Sequence, residues 1–383
     1  MAHQQPSEPP TATIGPLGPD VRVREPDSGP RLIHGVSTSV SAFVGDAPGL
    51  PEEPVFVRSL PEFIETFMPG RTGEKTSSFV RDAVLGHFRN GGGGVWILAA
   101  AEGPDRVAAY RSALAGLECV AEVTLVVAPD LWRGEEDAHE IAQAIAGHCR
   151  RMGNRVALLH TRQGLVPADV RSRPFELGEP DARFAAVYYP WITVTGTDGS
   201  ERLVPASGHV SGMTCLVGAE LGVHRAPMSP LLGVLKHERQ LSDDEQESIS
   251  RLGVNCLRSS PELEQGIRVL GARTLSTDTD WMRLDVRRLV SHARASLARG
   301  TRWAASERND ARLRATVRES ATVFLRQLWR QGALHGRSAD QAFHVVCDDR
   351  NNTSEDIAQG RLNLDVGLAA VRPAEFIAFR VQQ

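Results

Sequence analysis

Residues 87–100 of this sequence read HFRNGGGGVWILAA, in which four consecutive glycines stand directly before an apolar run typical of a buried strand. The preceding residues 77–90, SSFVRDAVLGHFRN, repeat apolar side chains at helical spacing, so the glycines end a helix and begin a strand. A phosphate-binding loop has the opposite order, because phosphate binds the free N–H groups at the start of a helix. We therefore predict a tight structural turn, with a left-handed cap after Asn90, formed by Gly91, Gly92, Gly93 and Gly94.

Strands and helices alternate on both sides of this turn. After it, the strands VWILAA, VTLVVAPD and RVALLHT are separated by the helices PDRVAAYRSALAGL and EEDAHEIAQAIAGHCRRMG. Before it, the strands STSVSAFVG and PVFVRS precede the helix LPEFIETF, which a capping box of Ser59 and Glu62 is expected to open. One further strand, RFAAVYYPWITV, and a glycine-rich helix, SGHVSGMTCLVGAELG, follow. This alternation indicates parallel βαβ units, so we predict an α/β domain over residues 31–245.

The last third of the chain has a different pattern. The helix RRLVSHARASLARG and a long amphipathic helix from about Asn309 to Gln331 precede the strands QAFHVVCDD and RLNLDVGLAAVRPAEFIAFRVQQ. We predict an α+β domain over residues 246–383 that ends in a strand at the C-terminus. The outer face of the long helix is predicted to carry Arg312, Arg314, Arg318, Glu319 and Arg326.

Both ends of the chain are expected to form extended arms. Residues 1–20 contain five prolines and no periodicity, which predicts a disordered or extended lead within an N-terminal arm over residues 1–30. The following VRVRE, with Val21 and Val23, alternates apolar and basic side chains as an edge strand does. At the C-terminus, AEFIAFRVQQ alternates Ile377, Phe379 and Val381 with Phe376, Ala378 and Arg380, so the first set is expected to pack on a core.

Composition and charge exclude several classes of protein. The 383 residues are 41% hydrophobic and carry a net charge of −4, which gives no general attraction to nucleic acid or to acidic membranes. No secretion signal or apolar run long enough to cross a membrane is evident, so we expect a soluble protein of the cytoplasm. The sequence predicts no cofactor or metal site. Reduced thiols, neither disulfides nor zinc ligands, are expected at Cys119, Cys149, Cys215, Cys256 and Cys347.

A hydrolase is the alternative function that the α/β pattern raises. Asp130, His160 and Ser211 follow the chain order of subtilisin-type triads, and the first two come at strand ends, where catalytic groups often lie. However, a chain of this length contains such an ordered trio by chance, and Ser211 lacks a recognisable nucleophile context. We therefore predict that the protein has no catalytic residues.

Nine segments of the chain resemble, in order, the signature segments of contractile tail sheath proteins. The segments are GVSTSVSAFVG, FRNGGGGVWIL, AAVYYPWI, VPASGHVSGM, GVHRAP, LGVNCLR, VLGARTL, DWMRLDVRRL and RPAEFIAFRV. The resemblance covers residue 20 to the end and includes the sheaths of bacteriophage tails and of phage-tail-like injection systems. It implies that residues 31–245 are a subtilisin-like domain without a working protease site. The proline-rich start and the lack of large insertions distinguish this chain, which resembles a minimal sheath.

The resemblance also implies a function and a set of partners. The expected protein is a structural subunit that polymerises, as stacked hexameric rings, around an inner tube, with a baseplate and a tail terminator or cap as further partners. Contraction is expected to drive the tube outward, while the terminal strands hold neighbouring subunits together by strand addition. The long helix is expected to face the inner tube, with Arg314 and Arg318 as contacts. Nucleic acid binding and direct membrane insertion are not expected. A hydrolase and a scaffold of the same fold that does not contract are the alternatives.

Overall fold

The computed structural model describes residues 29–46, 49–68, 78–100, 103–170, 172–196, 199–259 and 266–383. The predicted N-terminal strand with Val21 and Val23 lies outside these residues, as does the proline-rich lead. The strands are β1 Ser41–Gly45, β2 Val55–Val57, β3 Val95–Ala99, β4 Leu125–Val127, β5 Val156–His160, β6 Ala185–Tyr189, β7 Ile192–Thr195, β8 Glu201–Val204, β9 Val234–His237, β10 Val254–Ser259, β11 Ile267–Leu270, β12 Phe343–Val346, β13 Asn363–Arg372 and β14 Glu375–Gln382. The helices are α1 Leu60–Phe67, α2 Val80–Arg89, α3 Arg106–Gly116, α4 Ala138–Met152, α5 Glu179–Ala182, α6 Ser207–Glu220, α7 Asp243–Arg251, α8 Leu284–Gly300, α9 Ala311–Arg330, α10 Ala339–Ala342 and α11 Ser354–Ala358.

A sheet of eight strands forms the centre of the larger unit, in the order β11-β10-β6-β5-β4-β1-β3-β2. The six inner strands run parallel, and the antiparallel strands β2 and β11 form the two edges. The helices between successive parallel strands account for this arrangement, because a parallel pair requires a crossover connection. The mixed α/β architecture predicted from the alternation is therefore confirmed.

Helices cover both faces of this sheet. In β1, Phe43 points into an apolar cluster that includes residues of α2 and α6, whereas Ala42 and Val44 point into a second cluster that includes residues of α3 and α4. Strands buried on both faces consist of apolar residues throughout, as the LVV of β4 does. The unit therefore has three layers, with the sheet between two layers of helices.

Two predictions about this unit need correction. The segment RFAAVYYPWITV is not one strand, because Pro190 separates β6 from β7, and β7 joins a separate antiparallel sheet in the order β8-β7-β9. Proline has no N–H to donate to a ladder, which explains the break. In addition, the predicted boundary between residues 245 and 246 divides the large sheet, since β10 and β11 lie after it and pair with β6 and with each other.

The C-terminal unit is an antiparallel sheet, β12-β13-β14, with α8 and α9 packed on it. Its apolar cluster combines the inward faces of both helices with those of the strands, including Leu289, Val317, Leu325, Leu364 and Val381. The apolar residues that repeat at 3.6-residue spacing on α9 and those that alternate along β13 and β14 therefore pack into one core.

Helix α8 joins the two units. Its first eight residues, Leu284 to Ser291, are all buried. Leu284 belongs to the apolar cluster of the large sheet, whereas Val286 belongs to that of the C-terminal unit. The chain segment before β1 also lies along this helix: Val36 N donates to Ser296 Oγ at 3.1 Å, and Ile33 is buried in the C-terminal cluster.

Candidate assembly surfaces

The C-terminal strand β14 is not a free arm in this structure, because it forms a hairpin with β13 of the same chain. Ile377 and Val381 are buried in the core of the C-terminal unit, and Phe379 packs against it while remaining half-buried. On the opposite face, the ring of Phe376 lies over His344 of β12, with 4.7 Å between ring centroids. Burial of Ile377 and Val381 stabilises the hairpin by roughly 1.5–3 kcal/mol per side chain.

The outer edge of β14 carries backbone groups that point away from β13. Leu362 and Gln383 exchange both backbone hydrogen bonds at 3.0 Å, and the register continues from this pair without a shift as far as Leu368 and Ile377. In an antiparallel ladder only every second pair exchanges hydrogen bonds. The N–H groups of Ala378 and Arg380 therefore point outward, and no strand of the described residues pairs with this edge.

The two arginines predicted to contact an inner tube have different environments. Arg318 is exposed and lines a groove of 510 Å³ between α9 and β12, together with Glu319, Arg326 and His344. Arg314 is only 6% exposed, because the helix turns it toward the sheet. Its guanidinium donates to Asn309 Oδ1 at 2.9 Å and to Asp349 Oδ1 at 2.6 Å. The prediction that Arg314 lies on the outer face was therefore wrong.

The glycine turn follows α2 and leads into β3. Gly91 has φ of 79°, which places it in the left-handed region at the helix end. A Cβ on Gly92 would lie 2.1 Å from Nε2 of His87, and one on Gly94 would lie 2.4 Å from Cζ of Phe56. Gly93 has more room, since a Cβ there would lie 3.3 Å from the carbonyl oxygen of Ser39. Gly91 is therefore required by its backbone conformation, and Gly92 and Gly94 are required because a side chain would clash with a neighbouring ring.

Asp130, His160 and Ser211 do not assemble into a triad. Asp130 is buried and accepts from Ser78 Oγ and from Phe79 N, both at 2.7 Å, so its oxygens hold the start of α2. Burial raises the pKa of this carboxyl. The His160 ring is buried beside Trp191, and neither ring nitrogen has a hydrogen-bond partner among the described residues. Burial lowers the pKa of His160 to about 3.

Ser211 instead pairs with His87, a residue that the sequence did not single out. Nδ1 of His87 lies 2.7 Å from Ser211 Oγ, and Nε2 lies 3.1 Å from the carbonyl oxygen of Gly93. Because the carbonyl can only accept, the neutral ring carries its proton on Nε2, and Nδ1 is left as an acceptor. The Ser211 hydroxyl also lies 2.9 Å from the carbonyl oxygen of Gly208, so its single proton is shared between these two acceptors. Burial lowers the pKa of His87 to about 4, and both side chains are inaccessible to solvent. Among the described residues no carboxylate hydrogen-bonds to the pair, and both side chains are covered by the packing of α2 on α6.

This pair lies where α2 and α6 approach each other closely. A Cβ on Gly208 would lie 2.4 Å from Cα of Ala83, and one on Gly212 would lie 2.1 Å from the carbonyl oxygen of His87. On the α2 side, a Cβ on Gly86 would lie 2.3 Å from the ring of His209. The glycine-rich composition of SGHVSGM is therefore a packing requirement, because the backbones of two helices are in contact.

The described part of the chain contains neither a metal-binding cluster nor a helix that could span a membrane. No group of three or more His, Cys, Asp or Glu side chains there is arranged to hold a metal ion. Within the same residues, no helix has the length and apolar character needed to cross a bilayer.

Sequence and structure comparisons relate the chain to tail sheaths. Residues 276–383 match the family described as the phage tail sheath C-terminal domain. A protein of Pseudomonas aeruginosa (strain UCBPP-PA14), described as a prophage major tail sheath protein, is 26% identical over 195 residues. That match covers 50% of this chain and 48% of the relative, so the chain spans about half the length of this curated relative.

Solved structures of contractile particles match nearly the whole chain. A chain of the anti-feeding prophage baseplate, determined with 6-fold symmetry, is 26% identical with a TM-score of 0.74, over 95% of this chain and 98% of its own. A chain of the contracted PVC sheath, from an extracellular contractile injection system, is 25% identical with a TM-score of 0.74, over 94% and 95% of the two chains. The resemblance to contractile tail sheath proteins is thereby confirmed.

Proposed function

We propose that this chain is the structural subunit of a contractile sheath, which polymerises around an inner tube and shortens to drive that tube through a target envelope. The observation that carries the proposal is the whole-chain similarity to a contracted injection-system sheath. The proposed partners are further copies of the chain in stacked hexameric rings, the inner tube protein, a baseplate and a terminator or cap. The subunit is made and assembled in the cytoplasm and becomes part of a phage tail or injection particle.

The proposal includes no enzymatic activity. The eight-stranded sheet with its helices is proposed to be the subtilisin-like unit of sheath proteins, used here as a scaffold. The separation of Asp130, His160 and Ser211, and the burial of the Ser211–His87 pair, support a structural role for this unit. We place its end after β11, so that the arm, the scaffold and the C-terminal unit cover residues 1–30, 31–270 and 271–383.

Strand addition at the outer edge of β14 is the proposed contact between copies. The outward N–H groups of Ala378 and Arg380 are unpaired among the described residues, and an incoming strand can accept from both. The incoming strand is proposed to be VRVRE of a neighbouring copy, with Val21 and Val23. A contact of two different surfaces continues from copy to copy without closing, which suits a helical tube.

The α9 face is the proposed contact with the inner tube. Residues 276–383 contain 17 arginines against 13 aspartates and glutamates, although the whole chain has a net charge of −4. The C-terminal unit is therefore basic and favours an acidic partner surface. Arg318 and Arg326 on the exposed face of α9 are the proposed contacts, while the buried Arg314 is assigned to the fold.

The proposed function is tested by electron microscopy of the full chain and of Ala378→Pro. The wild-type chain, co-expressed with its inner tube protein, is expected to form tubes of two lengths, extended and contracted. Ala378→Pro removes an outward N–H without breaking the ladder to β13, so it should fold as a monomer and fail to form tubes. Phe379→Pro is the matched control, because it removes an N–H that points toward Val366 and should destabilise the monomer itself. Tubes of normal length from Ala378→Pro would contradict strand addition at this edge, and discrete particles from the wild type would contradict the proposed function.

A further inference from the structure

A large groove lies between helix α8 and the edge of the eight-stranded sheet. Its volume is 1170 Å³, and its walls are formed mainly by apolar side chains and by aliphatic portions of polar ones. On the sheet side it is lined by Trp96, Cys119 and Met152, and on the α8 side by Ala295, Arg299 and Arg302. We call this surface the α8 groove. Such a concave and largely apolar surface is suited to bind a peptide segment.

The α8 groove carries positive charge that has no partner among the described residues. Arg299 and Arg302 are both exposed, and no ion pair or hydrogen bond joins either side chain to another described residue. Two acids also line the groove: Glu122 accepts from Trp96 Nε1 at 2.9 Å, and Glu53 is exposed, but neither forms an ion pair with Arg299 or Arg302. An occupant that carries carboxylates next to apolar residues would therefore complement this surface.

The first described residues lead directly to one end of the α8 groove. Val36 lines the groove and donates to Ser296 of α8. Moving toward the N-terminus, Ile33 packs against Gly300, and the Arg31 guanidinium lies 3.9 Å from the ring centroid of Trp303. The described chain therefore passes the C-terminal end of α8 and reaches Trp303 at Arg31, and residues 1–28 precede the described part.

Those 28 residues have the chemistry that the groove fits. Residues 1–20 contain five prolines and several apolar residues, and their charged side chains are the carboxylates of Glu8 and Asp20. Proline-rich segments favour the extended polyproline II conformation and dock on grooves with aromatic walls, as Trp96 provides here. The groove follows α8 from Arg288 to Arg299, about 17 Å of helix, and six residues of polyproline II span roughly 19 Å.

We propose that residues 14–19 dock in the α8 groove of their own chain while the subunit is unassembled. Docking shields the apolar walls from solvent and places the Asp20 carboxylate next to the end of the groove that Arg299 and Arg302 line. The inference concerns a single subunit, so it does not depend on the proposed sheath function and can fail without affecting it.

Cys119 makes the docking measurable, because it lines the groove and is the exposed cysteine among the described thiols. In the full chain, Ile14→Cys and Leu17→Cys are oxidised under native conditions and the disulfides are mapped by mass spectrometry. At least one of the two new thiols should link to Cys119 within the same chain, with a yield independent of protein concentration. The buried Cys149, Cys215, Cys256 and Cys347 should remain reduced.

Charge reversal in the groove provides the second readout. In the otherwise unmodified chain, the double variant Arg299→Glu and Arg302→Glu should raise the rate of maleimide labelling of Cys119 by about fivefold or more, since repelled carboxylates undock the segment. Arg330→Glu, at an exposed arginine of α9 outside the groove, is the matched control and should leave the rate unchanged. The proposal is overturned if both cysteine variants give only intermolecular links or none to Cys119, or if charge reversal leaves the labelling rate unchanged.

Discussion

Nη2 of Arg314 lies 2.6 Å from Oδ1 of Asp349, so an ion pair joins helix α9 to the turn that follows β12. The arginine side chain is 8% exposed, whereas that of the aspartate is 87% exposed. One buried charge is thus held by a partner at the surface, and Asn309 supplies a second acceptor for the same guanidinium. This ion pair distinguishes Arg314 from Arg318, which lies one helical turn further along α9 and has the same position in the sequence pattern.

Charge reversal at Arg314 is expected to lower the stability of the fold, whereas charge reversal at Arg318 is expected to affect assembly. Arg314→Glu places an unpaired charge in a buried site near Asp349 and should lower the free energy of unfolding by about 2–4 kcal/mol. Arg318→Glu is exposed and should change it by less than about 0.5 kcal/mol, while weakening enclosure of the inner tube. Urea unfolding of the two single variants measures the first difference, and electron microscopy of co-expressed sheath and tube measures the second. Equal stability losses would place both arginines in the core.

Alanine substitutions along the glycine turn should differ by position. Gly92→Ala and Gly94→Ala force a Cβ against the rings of His87 and Phe56 and should each destabilise the fold by about 1–3 kcal/mol. Gly91→Ala should lose about 1 kcal/mol, because alanine is strained at positive φ. Gly93→Ala should be the mildest, since its Cβ meets only the Ser39 carbonyl at 3.3 Å. Thermal unfolding of the four variants tests this order, and a nucleotide-binding role for the turn would not produce it.

Acid should destabilise the larger unit through its buried histidines. Burial lowers the pKa of His87 and His209 to about 4 and that of His160 to about 3, so the fold favours the neutral rings. Their contribution to stability is complete above the ordinary pKa of about 6.5 and is lost as the pH falls toward these values. Each ring should add a slope of about 1.4 kcal/mol per pH unit in that range.

The variant His160→Phe isolates one of these contributions. It removes no hydrogen bond, because neither ring nitrogen of His160 has a partner among the described residues, and it keeps an aromatic ring beside Trp191. The slope of the unfolding free energy between about pH 6 and pH 4.5 should decrease by about 1.4 kcal/mol per pH unit. Phe63→Leu, at a buried aromatic residue that does not titrate, is the control and should lower stability without changing the slope. An unchanged slope in His160→Phe would mean that His160 is not the group that titrates.

Ser211 should be inert toward reagents that label catalytic serines. Its hydroxyl is buried against His87, and the ring's other nitrogen faces a carbonyl group in place of a carboxylate. A fluorophosphonate probe should therefore leave the folded protein unlabelled, with an active subtilisin-type protease as the positive control. Modification of Ser211 in the folded protein would favour the hydrolase alternative.

The sequence predicts the layers of the large unit well, because apolar periodicity depends mainly on local burial. β1, β3, β4 and β5 appear where apolar runs alternate with helical patterns, and the glycines before β3 have the predicted helix-to-strand order. The same reasoning fails where the position of a strand in a sheet depends on which distant strand it pairs with. Nothing in VNCLRS or IRVL states that these strands extend the sheet begun by β1, which is why the predicted boundary fell before β10.

In the candidate surfaces, the sequence pattern likewise does not reveal which single side chains are buried by residues distant in the chain. Arg314 and Arg318 are both one residue past an apolar position, and only the turn carrying Asp349, 35 residues later, determines which one is buried. The His87–Ser211 contact joins residues 124 positions apart, so neither pattern alone indicates it. A local signal did exist in the paired motifs LGH and SGHVSG, because glycine within a helix indicates close backbone contact.

The buried first turns of α8 have a mechanical consequence. Leu284 is held in the apolar cluster of the large sheet and Val286 in that of the C-terminal unit, so the helix is clamped by both within its first turn. A rotation of the three-stranded sheet is therefore expected to be transmitted to the eight-stranded sheet through α8, a helix of 17 residues. Twisting one unit against the other requires the buried Arg287 and Arg288 to leave their sites. We therefore expect the two units to move together, so that in the proposed sheath the rotation between neighbouring copies is absorbed outside this joint.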